Sequence, residues 1–353
     1  MSKVDVWIPN LQCPDCQGQI QASEDREDEL FCTRCKRTFM RSEGMWNLLP
    51  TNVANMAIKE REREGWKKKQ QLRHDLPPKY YLSLPDVDHP YYQAAARYLR
   101  IVIECGKPWT EKKVLELGAA ECWATRHFAQ AGAEAAALEY SDDENRFGKA
   151  QVLLDNLPIS FFRILGDGEC LPFGPNVFDR IFCCSVLHHF SDLAQAIKEI
   201  ARTLKPGGLF FGIHEAFHPP YYSKKRALKM HPDTMPSIDA GINECSFPAS
   251  YYRKLFRKAC MEFDLISPHW DVRYQGNSMI VRPGAALYDD PNYALTTLGK
   301  GQTQASLTGF LARMLLLSGL WRVFVNPNVF PLFRFHLLNW TVRSKIIVAR
   351  KPV

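Results

Sequence analysis

The sequence has little of what marks a secreted or membrane-spanning chain. The first ten residues lack the basic-then-apolar build of a secretion signal, and no apolar run reaches the roughly 20 residues that a bilayer crossing needs. In such a chain, eleven cysteines indicate metal ligands and free thiols rather than disulfides. We therefore expect a cytoplasmic protein, and 353 residues suggest about two domains.

The first 50 residues carry a cysteine pattern typical of a zinc site. Two Cys-x2-Cys pairs are separated by 15 residues, and their members are Cys13, Cys16, Cys32 and Cys35. Each pair can direct two thiolates at one ion, and two pairs complete a tetrahedral Zn²⁺ site. Because all four positions are cysteine, no coordination position stays open, and the predicted zinc is structural.

Residues 1–50 resemble the zinc ribbons that are fused to, or partnered with, methyltransferases. Relatives of this kind include an rRNA guanine methyltransferase family, in which the ribbon helps to hold RNA, and the ribbon subunit that activates eukaryotic methyltransferases. Here the segment has six Lys/Arg against eight Asp/Glu, a net charge of −2. An arm that binds phosphates should be basic, so the charge disfavours RNA.

Residues 51–110 are predicted to form a helical linker or lid. Opposite charges alternate over 54–76, which favours a solvent-exposed helix, with contact between its lysines and a polyanion as the second interpretation. Residues 91–105 have helical periodicity. Their aromatic side chains either pack in the core or line a crevice as a lid.

From residue 111 onward, segments of strand character alternate with helical ones. This alternation predicts a doubly wound, Rossmann-like α/β sheet. The glycine turn after the first strand reads Gly118-x-Ala120-x-x-Trp123, and a tryptophan at the third position would block the close helix–strand packing of a dinucleotide site. The predicted strands are 114–117, 135–139, 159–165, 177–184, 209–214, 262–267 and 344–352.

Five motifs in residues 113–215 resemble class I S-adenosylmethionine (SAM) methyltransferases, nearest to the ubiquinone/menaquinone-type small-molecule branch. They are Leu-Glu-Leu-Gly-Ala, Leu-Glu139, Gly-Asp167-Gly-Glu-x-Leu-Pro-Phe, Leu-His-His-Phe and Leu-Lys-Pro-Gly-Gly. The resemblance implies the seven-stranded methyltransferase sheet and SAM as the cofactor. One departure is Ala120, where the family usually has a second glycine.

The resemblance also implies which residues bind SAM. Glu116 and the turn at Gly118 and Ala120 would face its methionine part, and Glu139 its ribose. Asp167 would accept a hydrogen bond from the adenine amino group, and Gly168 and Glu169 would lie beside the adenine. Ser185 would lie near the methyl-donating end.

Candidate catalytic residues follow two predicted strands. His188, His189 and His214 come after strand ends on the crevice side, and histidine titrates near neutral pH. If the acceptor is a hydroxyl, a base that removes its proton would add to the effect of alignment. The alternative is that His188 or His189 caps a helix or packs beneath the cofactor.

Residues 271–343 are predicted to be an insertion between the last two strands. Residues 301–353 carry seven Lys/Arg and no acid, and apolar and aromatic runs fill 306–340. Three interpretations stay open: a hydrophobic lid or homodimer face, peripheral contact with the inner face of a membrane through 306–340, and nucleic-acid binding, the least favoured.

The sequence therefore predicts a zinc ribbon joined to a SAM-dependent methyltransferase domain over 111–353. We expect a small-molecule, lipid-like or glycan-linked acceptor and O-methylation. The first alternative is a base methyltransferase of rRNA or tRNA that uses the ribbon to bind RNA. The second is a non-catalytic SAM-binding scaffold or activator.

Overall fold

The computed structural model describes residues 5–52, 54–71, 76–142, 144, 146–229, 234–285, 314, 318–320, 322–323, 326, 328–340 and 344–353. Short 3-10 helices cover Asp5–Asn10 and Leu187–His189. The strands are β1 Ile20–Ala22, β2 Glu29–Cys32, β3 Thr38–Ser42, β4 Met45–Asn47, β5 Lys113–Leu117, β6 Glu134–Glu139, β7 Phe162–Leu165, β8 Phe178–Cys184, β9 Leu204–Ile213, β10 Glu262–Ile266, β11 Val272–Gln275, β12 Ser278–Val281 and β13 Ile346–Arg350. The helices are α1 Met56–Gln71, α2 Pro78–Ser83, α3 Pro90–Cys105, α4 Trp123–Gln130, α5 Ala150–Asn156, α6 Leu193–Thr203, α7 Lys224–Leu228, α8 Thr234–Asp239, α9 Ala249–Lys258 and α10 Pro331–Asn339.

Seven strands form the α/β sheet in the order β7-β6-β5-β8-β9-β13-β10. The first five pair in parallel, while β13 runs antiparallel to both β9 and β10. Val114 to Leu117, three apolar residues and Glu116, are all buried in β5, as expected of a central parallel strand. The predicted doubly wound, seven-stranded α/β sheet is confirmed.

The strand order reverses beside β5, whose neighbours are β6 on one side and β8 on the other. In an open α/β sheet, this reversal leaves a crevice outside the carboxyl ends of the strands. The loops that follow β5, β6, β7, β8 and β9 therefore converge on one region. That region holds the candidate site.

The N-terminal ribbon continues the sheet. Strand β4 pairs in parallel with β7, with Trp46 opposite Ile164, so that β1 to β4 extend the sheet to eleven strands. The Trp7 ring stacks on Phe162 at a centroid distance of 6.2 Å and packs against Phe178. The ribbon thus covers an edge strand that would otherwise present unpaired backbone groups, and it shares a core with the α/β sheet.

The last two strands of the sheet, β10 and β13, lie where the sequence predicts them. Between them the structure describes the hairpin of β11 and β12 and the helix α10. Residues 286–313, 315–317, 321, 324–325, 327 and 341–343 of the predicted insertion lie outside the described residues. Within the described part of the chain, no helix is both long enough and apolar enough to cross a membrane.

Candidate active site

A cavity of about 570 Å³ opens at the carboxyl ends of the parallel strands. Its size lies in the usual range for a small-molecule or cofactor site. Helices α1 and α3 contribute to its wall through residues such as Trp66 and Tyr91. The structure brings together in this one cavity all of the predicted cofactor-binding and catalytic residues: Glu116, Gly118, Ala120, Glu139, Asp167, Gly168, Glu169, Ser185, His188, His189 and His214.

The turn after β5 is tight because of its backbone conformation. Gly118 has φ +62°, and a Cβ atom at this position would lie 2.5 Å from a methyl group of Val186, so glycine is required here. Ala120 has φ +46°, a left-handed conformation that costs an alanine about 1 kcal/mol. Its N–H donates a hydrogen bond to Glu139 Oε2 at 3.0 Å.

Glu139 ends β6 with its carboxylate at the cavity. Its Oε1 atom accepts a hydrogen bond from the N–H of Tyr140 at 2.9 Å, so both carboxylate oxygens are held in place. Two further polar atoms at the cavity, Ser141 Oγ and Arg146 Nε, are buried and hydrogen-bond no atom of the described residues. These atoms suit a polar ligand, because buried polar groups normally have partners.

Glu116 is 2% exposed, and its carboxylate bonds mainly to other residues of the chain. Its Oε2 atom accepts hydrogen bonds from the N–H of Thr125, at 2.6 Å, and from the Thr125 hydroxyl. Burial raises the pKa of Glu116 to about 8, although both bonds from Thr125 act in the opposite direction. The side chain thus ties β5 to the first turn of α4, which fixes the glycine turn between them.

Asp167 and Glu169 are paired with a lysine from outside the α/β sheet. The Lys59 Nζ atom in α1 lies 2.5 Å from Asp167 Oδ2 and 2.8 Å from Glu169 Oε2. Lys59 is only 7% exposed, so the predicted solvent-exposed helix is wrong along this face of α1. Two facing carboxylates in a buried site need a counter-charge, and α1 supplies it.

Replacing Lys59 with methionine is expected to destabilise the chain by about 3 kcal/mol, because removing one partner leaves two buried carboxylates uncompensated. The same change should increase amide exchange along α1. Urea denaturation and hydrogen exchange measure both effects. Lys68→Met is the matched control, since Lys68 is exposed on the same helix. Unchanged protection of α1 in Lys59→Met would contradict this account of how the helix is held.

Glu215 organises the turn that carries His188 and His189. Its Oε1 atom accepts hydrogen bonds from the N–H groups of Val186 and Leu187, and Oε2 lies 2.7 Å from His188 Nδ1. Burial favours the neutral acid, but His188 and the backbone N–H groups prevail and lower the pKa of Glu215. The carboxylate therefore fixes the orientation of the His188 ring.

His214 and Ser185 lie together at the ends of neighbouring strands. The Ser185 Oγ atom is 3.2 Å from His214 Nδ1 and 3.3 Å from the Tyr91 hydroxyl. The rings of Tyr91 and His214 are 4.5 Å apart, centroid to centroid. Ser185 and His214 both have positive φ angles, +57° and +59°. The backbone therefore takes a left-handed conformation at both residues where they line the cavity. Such strained backbone often accompanies a functional site.

The four ribbon cysteines form one cluster away from the cavity. Their Sγ atoms lie within 4.8 Å of one another, with Cys13–Cys35 at 3.7 Å and Cys16–Cys32 at 3.4 Å. Sulfur ligands about 2.3 Å from one tetrahedral zinc ion are about 3.8 Å apart. A Cβ atom at Gly18 would lie 2.9 Å from Cys32 Sγ. The cluster therefore fits a four-thiolate metal site.

Several residues at the cavity have no motif in the sequence. They come from a charged helix, from a polar loop after β6 and from the segment between α8 and α9, and only the folded chain brings them to the strand ends. The cation of Arg146, for example, lies 4.6 Å from the Trp66 ring centroid. The cavity residues that sequence reasoning missed include Lys59, Glu62, Trp66, Ser141, Arg146 and Glu244.

The sheet order and the glycine turn are those of an α/β protein that binds a nucleotide-type ligand in its crevice. Comparison with known proteins narrows this class to a family. Residues 115–212 match the methyltransferase domain family. Together with the observed fold, this match confirms the resemblance to class I SAM-dependent methyltransferases. It also supports the prediction of SAM as the cofactor.

The matching relatives are similar to this chain over part of their length. Demethylmenaquinone methyltransferase of Corynebacterium efficiens is 34% identical over 97 residues, which cover 28% of this chain and 39% of that protein. The same enzyme of Renibacterium salmoninarum is 28% identical over 149 residues, covering 42% and 58%. The chain thus spans less than two thirds of the length of either relative.

Solved structures are similar to this chain at low identity. One is the Haloferax volcanii complex of the Trm112 methyltransferase activator with a putative methyltransferase, at 15% identity and a TM-score of 0.47, covering 83% of this chain and 98% of that chain. Another is the YcgJ protein of Bacillus subtilis, at 19% identity and a TM-score of 0.45, covering 73% and 99%.

Proposed function

We propose that this chain is a SAM-dependent methyltransferase that methylates an oxygen of a small-molecule, lipid-like or glycan-linked acceptor. The observation that carries the proposal is the placement of Glu139 and Asp167. They follow adjacent strands, β6 and β7, and line one cavity beside the glycine turn at Gly118. Carboxylates at these two positions suit the ribose and adenine of a nucleoside next to a tight turn.

The cavity offers partners for each part of SAM. Glu139 would accept hydrogen bonds from the ribose hydroxyls, with Ser141 Oγ as a further partner. Asp167 would accept a hydrogen bond from the adenine amino group, because its ion pair with Lys59 leaves carboxylate lone pairs available. Gly168 and Glu169 would lie beside the adenine ring. Gly118 and Ala120 would approach the methionine part with backbone atoms. When bound, SAM supplies a methyl group on a positively charged sulfur.

We assign removal of the acceptor's proton to His214. His214 Nδ1 lies 3.2 Å from Ser185 Oγ, and the resemblance places Ser185 near the methyl group. The rings of His188 and His189 are held at Nδ1 by Glu215 and by the carbonyl oxygen of Asn243. The acceptor oxygen would take the methyl group from the sulfur of SAM, which would leave as a neutral thioether, and His214 would take the acceptor's proton. A base of this kind contributes about 10²–10⁴-fold to the rate.

An assay that follows labelled methyl groups from SAM into lipid, glycan and RNA fractions tests this function. We expect label in the lipid or glycan fraction, and much less after His214→Ala. Label in RNA alone would support the alternative of an rRNA or tRNA methyltransferase. Binding of SAM without transfer into any fraction would support the scaffold or activator.

We propose that zinc is the metal of the cysteine cluster and that it has a structural role. Backbone N–H groups of Arg34 and Cys35 point at Cys32 Sγ, at 3.4 and 3.5 Å, and such donors stabilise a thiolate ligand. All four ligands are sulfur, so no position is open for substrate. The ribbon would hold the edge of the sheet through β4 rather than take part in chemistry.

The C-terminal region supports an acceptor with lipid character. Leu332, Phe333 and Trp340, in and next to α10, are 59%, 45% and 59% exposed, and Tyr221 next to Trp340 is 59% exposed. Exposed apolar and aromatic side chains in a segment without acids fit the headgroup region of an anionic bilayer. We place the peripheral membrane contact on this surface, which we call the aromatic surface.

A charge on the aromatic surface is expected to abolish most of this contact. Leu332→Glu should weaken binding to phosphatidylglycerol vesicles about tenfold, because it removes buried apolar area and repels the anionic headgroups. Vesicle co-sedimentation measures the effect. Met40→Glu, which charges an exposed methionine of the ribbon, is the control. Equal binding by the two variants would contradict the placement of the contact.

A further inference from the structure

Two histidines and a glutamate form a second cluster with metal-ligand chemistry, inside the cavity. One donor atom each of His188, His189 and Glu244 lies within 4.8 Å of the others. His188 Nε2 is 3.7 Å from Glu244 Oε2, which is too far for a hydrogen bond. Two ligands about 2.1 Å from one ion are about 3.0–3.6 Å apart for bond angles of 90–120°. The spacing therefore suits ligands of a shared ion.

Both imidazoles are oriented by a bond to the other ring nitrogen. His188 Nδ1 lies 2.7 Å from Glu215 Oε2, and His189 Nδ1 lies 2.8 Å from the carbonyl oxygen of Asn243. When Nδ1–H donates to such acceptors, Nε2 carries the lone pair. Metal-binding histidines nearly always have an acceptor of this kind, a carboxylate or a backbone carbonyl, on the second nitrogen.

Glu244 is held opposite the histidines by the residues on either side of it. The side-chain amide of Asn243 donates to the carbonyl oxygen of His189 at 2.7 Å. The N–H of Cys245 donates to the carbonyl oxygen of His188 at 3.1 Å. Because these bonds fasten the loop to the histidine turn on both sides, the cluster is preorganised although its members are 55 residues apart in sequence.

The charge around the histidines also favours a cation. Glu62 Oε1 lies 3.2 Å from His189 Nδ1, so Glu62, Glu215 and Glu244 surround two imidazoles that are neutral when they act as ligands. Among the cations at the cavity, Lys59 is shared between Asp167 and Glu169, and Lys69 and Arg146 lie over the Trp66 ring. Three carboxylates in a largely buried site are costly unless a positive charge compensates them.

We propose that His188, His189 and Glu244 bind a divalent first-row transition metal such as Zn²⁺ or Fe²⁺. Two imidazoles and one carboxylate suit these ions and leave coordination positions open. All three side chains line the cavity, so the open positions face the proposed acceptor site. Resting on the proposed function, the metal would bind the acceptor oxygen, lower the pKa of its hydroxyl and hold it toward the methyl group, while His214 takes the proton.

Metal counting and calorimetry with Zn²⁺ test this site. The full chain, loaded with one zinc per molecule at the four cysteines, is titrated with ZnCl2 and analysed by mass spectrometry of the metal. We expect one further Zn²⁺ per chain. His189→Gln and Glu244→Gln should each weaken it at least about tenfold, since each removes a ligand. His336→Gln, which changes an exposed histidine in α10, should bind the second ion like the unchanged chain.

Retention of the first zinc together with an unchanged Tm shows that the two ligand variants are folded. Saturation at one zinc would overturn the inference, and so would a second zinc that both ligand variants bind with unchanged affinity. The proposed function fails separately. If the chain binds SAM but no second metal, the metal site is wrong and the methyltransferase assignment stands. If it binds the second metal but no SAM, the methyltransferase assignment is wrong.

Discussion

Replacing Glu139 with alanine is expected to weaken SAM binding at least about 100-fold. The carboxylate ends β6 at the cavity and is oriented by the N–H groups of Ala120 and Tyr140. In the proposed pose it accepts two hydroxyl hydrogen bonds, and each bond to a charged acceptor contributes about 1.5–3 kcal/mol. Isothermal titration of SAM into the variant and the unchanged chain measures the difference.

The control for this change lies at the other end of the same strand. Glu134 begins β6 and is exposed, so Glu134→Ala removes the same charge from the same strand without touching the cavity. We expect that variant to bind SAM like the unchanged chain. If Glu139→Ala binds SAM within about twofold of the control, the ribose assignment is wrong.

Replacing Cys13 with serine is expected to cost the chain its zinc and at least about 4 kcal/mol of stability. Folding and metal binding are coupled at such sites, where a structural zinc contributes about 10–16 kcal/mol in isolated ribbons. The loss should reach the α/β sheet, because β4 pairs with β7 and Trp7 packs between Phe162 and Phe178. For a chain of 353 residues, it corresponds to a fall in Tm of about 5 °C or more.

Cys260→Ser provides the matched control, since Cys260 is an exposed thiol outside the cluster. It should retain one zinc at the ribbon and the original Tm. Calorimetric melting of both variants, with metal counting, gives the comparison. A Cys13→Ser chain that has lost zinc but melts at the original temperature would show that the ribbon does not support the sheet.

Local patterns made most of the α/β sheet predictable. Alternation of strands and helices predicted the positions of β5 to β10, and the Cys-x2-Cys pairs predicted a cluster of four cysteines, because each depends on residues close in sequence. Residues at strand ends, such as Glu139 and Asp167, lie at the cavity as a consequence of the sheet topology. The carboxyl ends of parallel strands meet at one edge of the sheet.

Long-range contacts were not predictable in the same way. Lys59 and Asp167 are 108 residues apart, and the alternating charges around Lys59 look the same whether a helix faces solvent or buries one lysine. The pairing of β4 with β7 likewise depends on which strand becomes the edge of the sheet. Glu244 lies in a segment without a recognisable motif, so its position beside His188 appears only in the folded chain.

Ala120 is the one residue of the glycine turn that departs from the pattern of the resembling family. Its φ of +46° shows that the backbone keeps the left-handed conformation for which glycine is favoured. The surrounding structure holds Ala120 in this strained conformation, and its N–H group still donates a hydrogen bond to Glu139. A chain that bound SAM only after Ala120→Gly would support the scaffold or activator over the enzyme.

The most direct test of the account is calorimetric titration of the full chain with SAM and with its demethylated product, S-adenosylhomocysteine. We expect each ligand to bind at one site per chain with a Kd in the micromolar range. We also expect the two ligands to compete for that site. Absence of binding by both ligands, in a folded chain that holds its zinc, would contradict the assignment of this cavity to SAM.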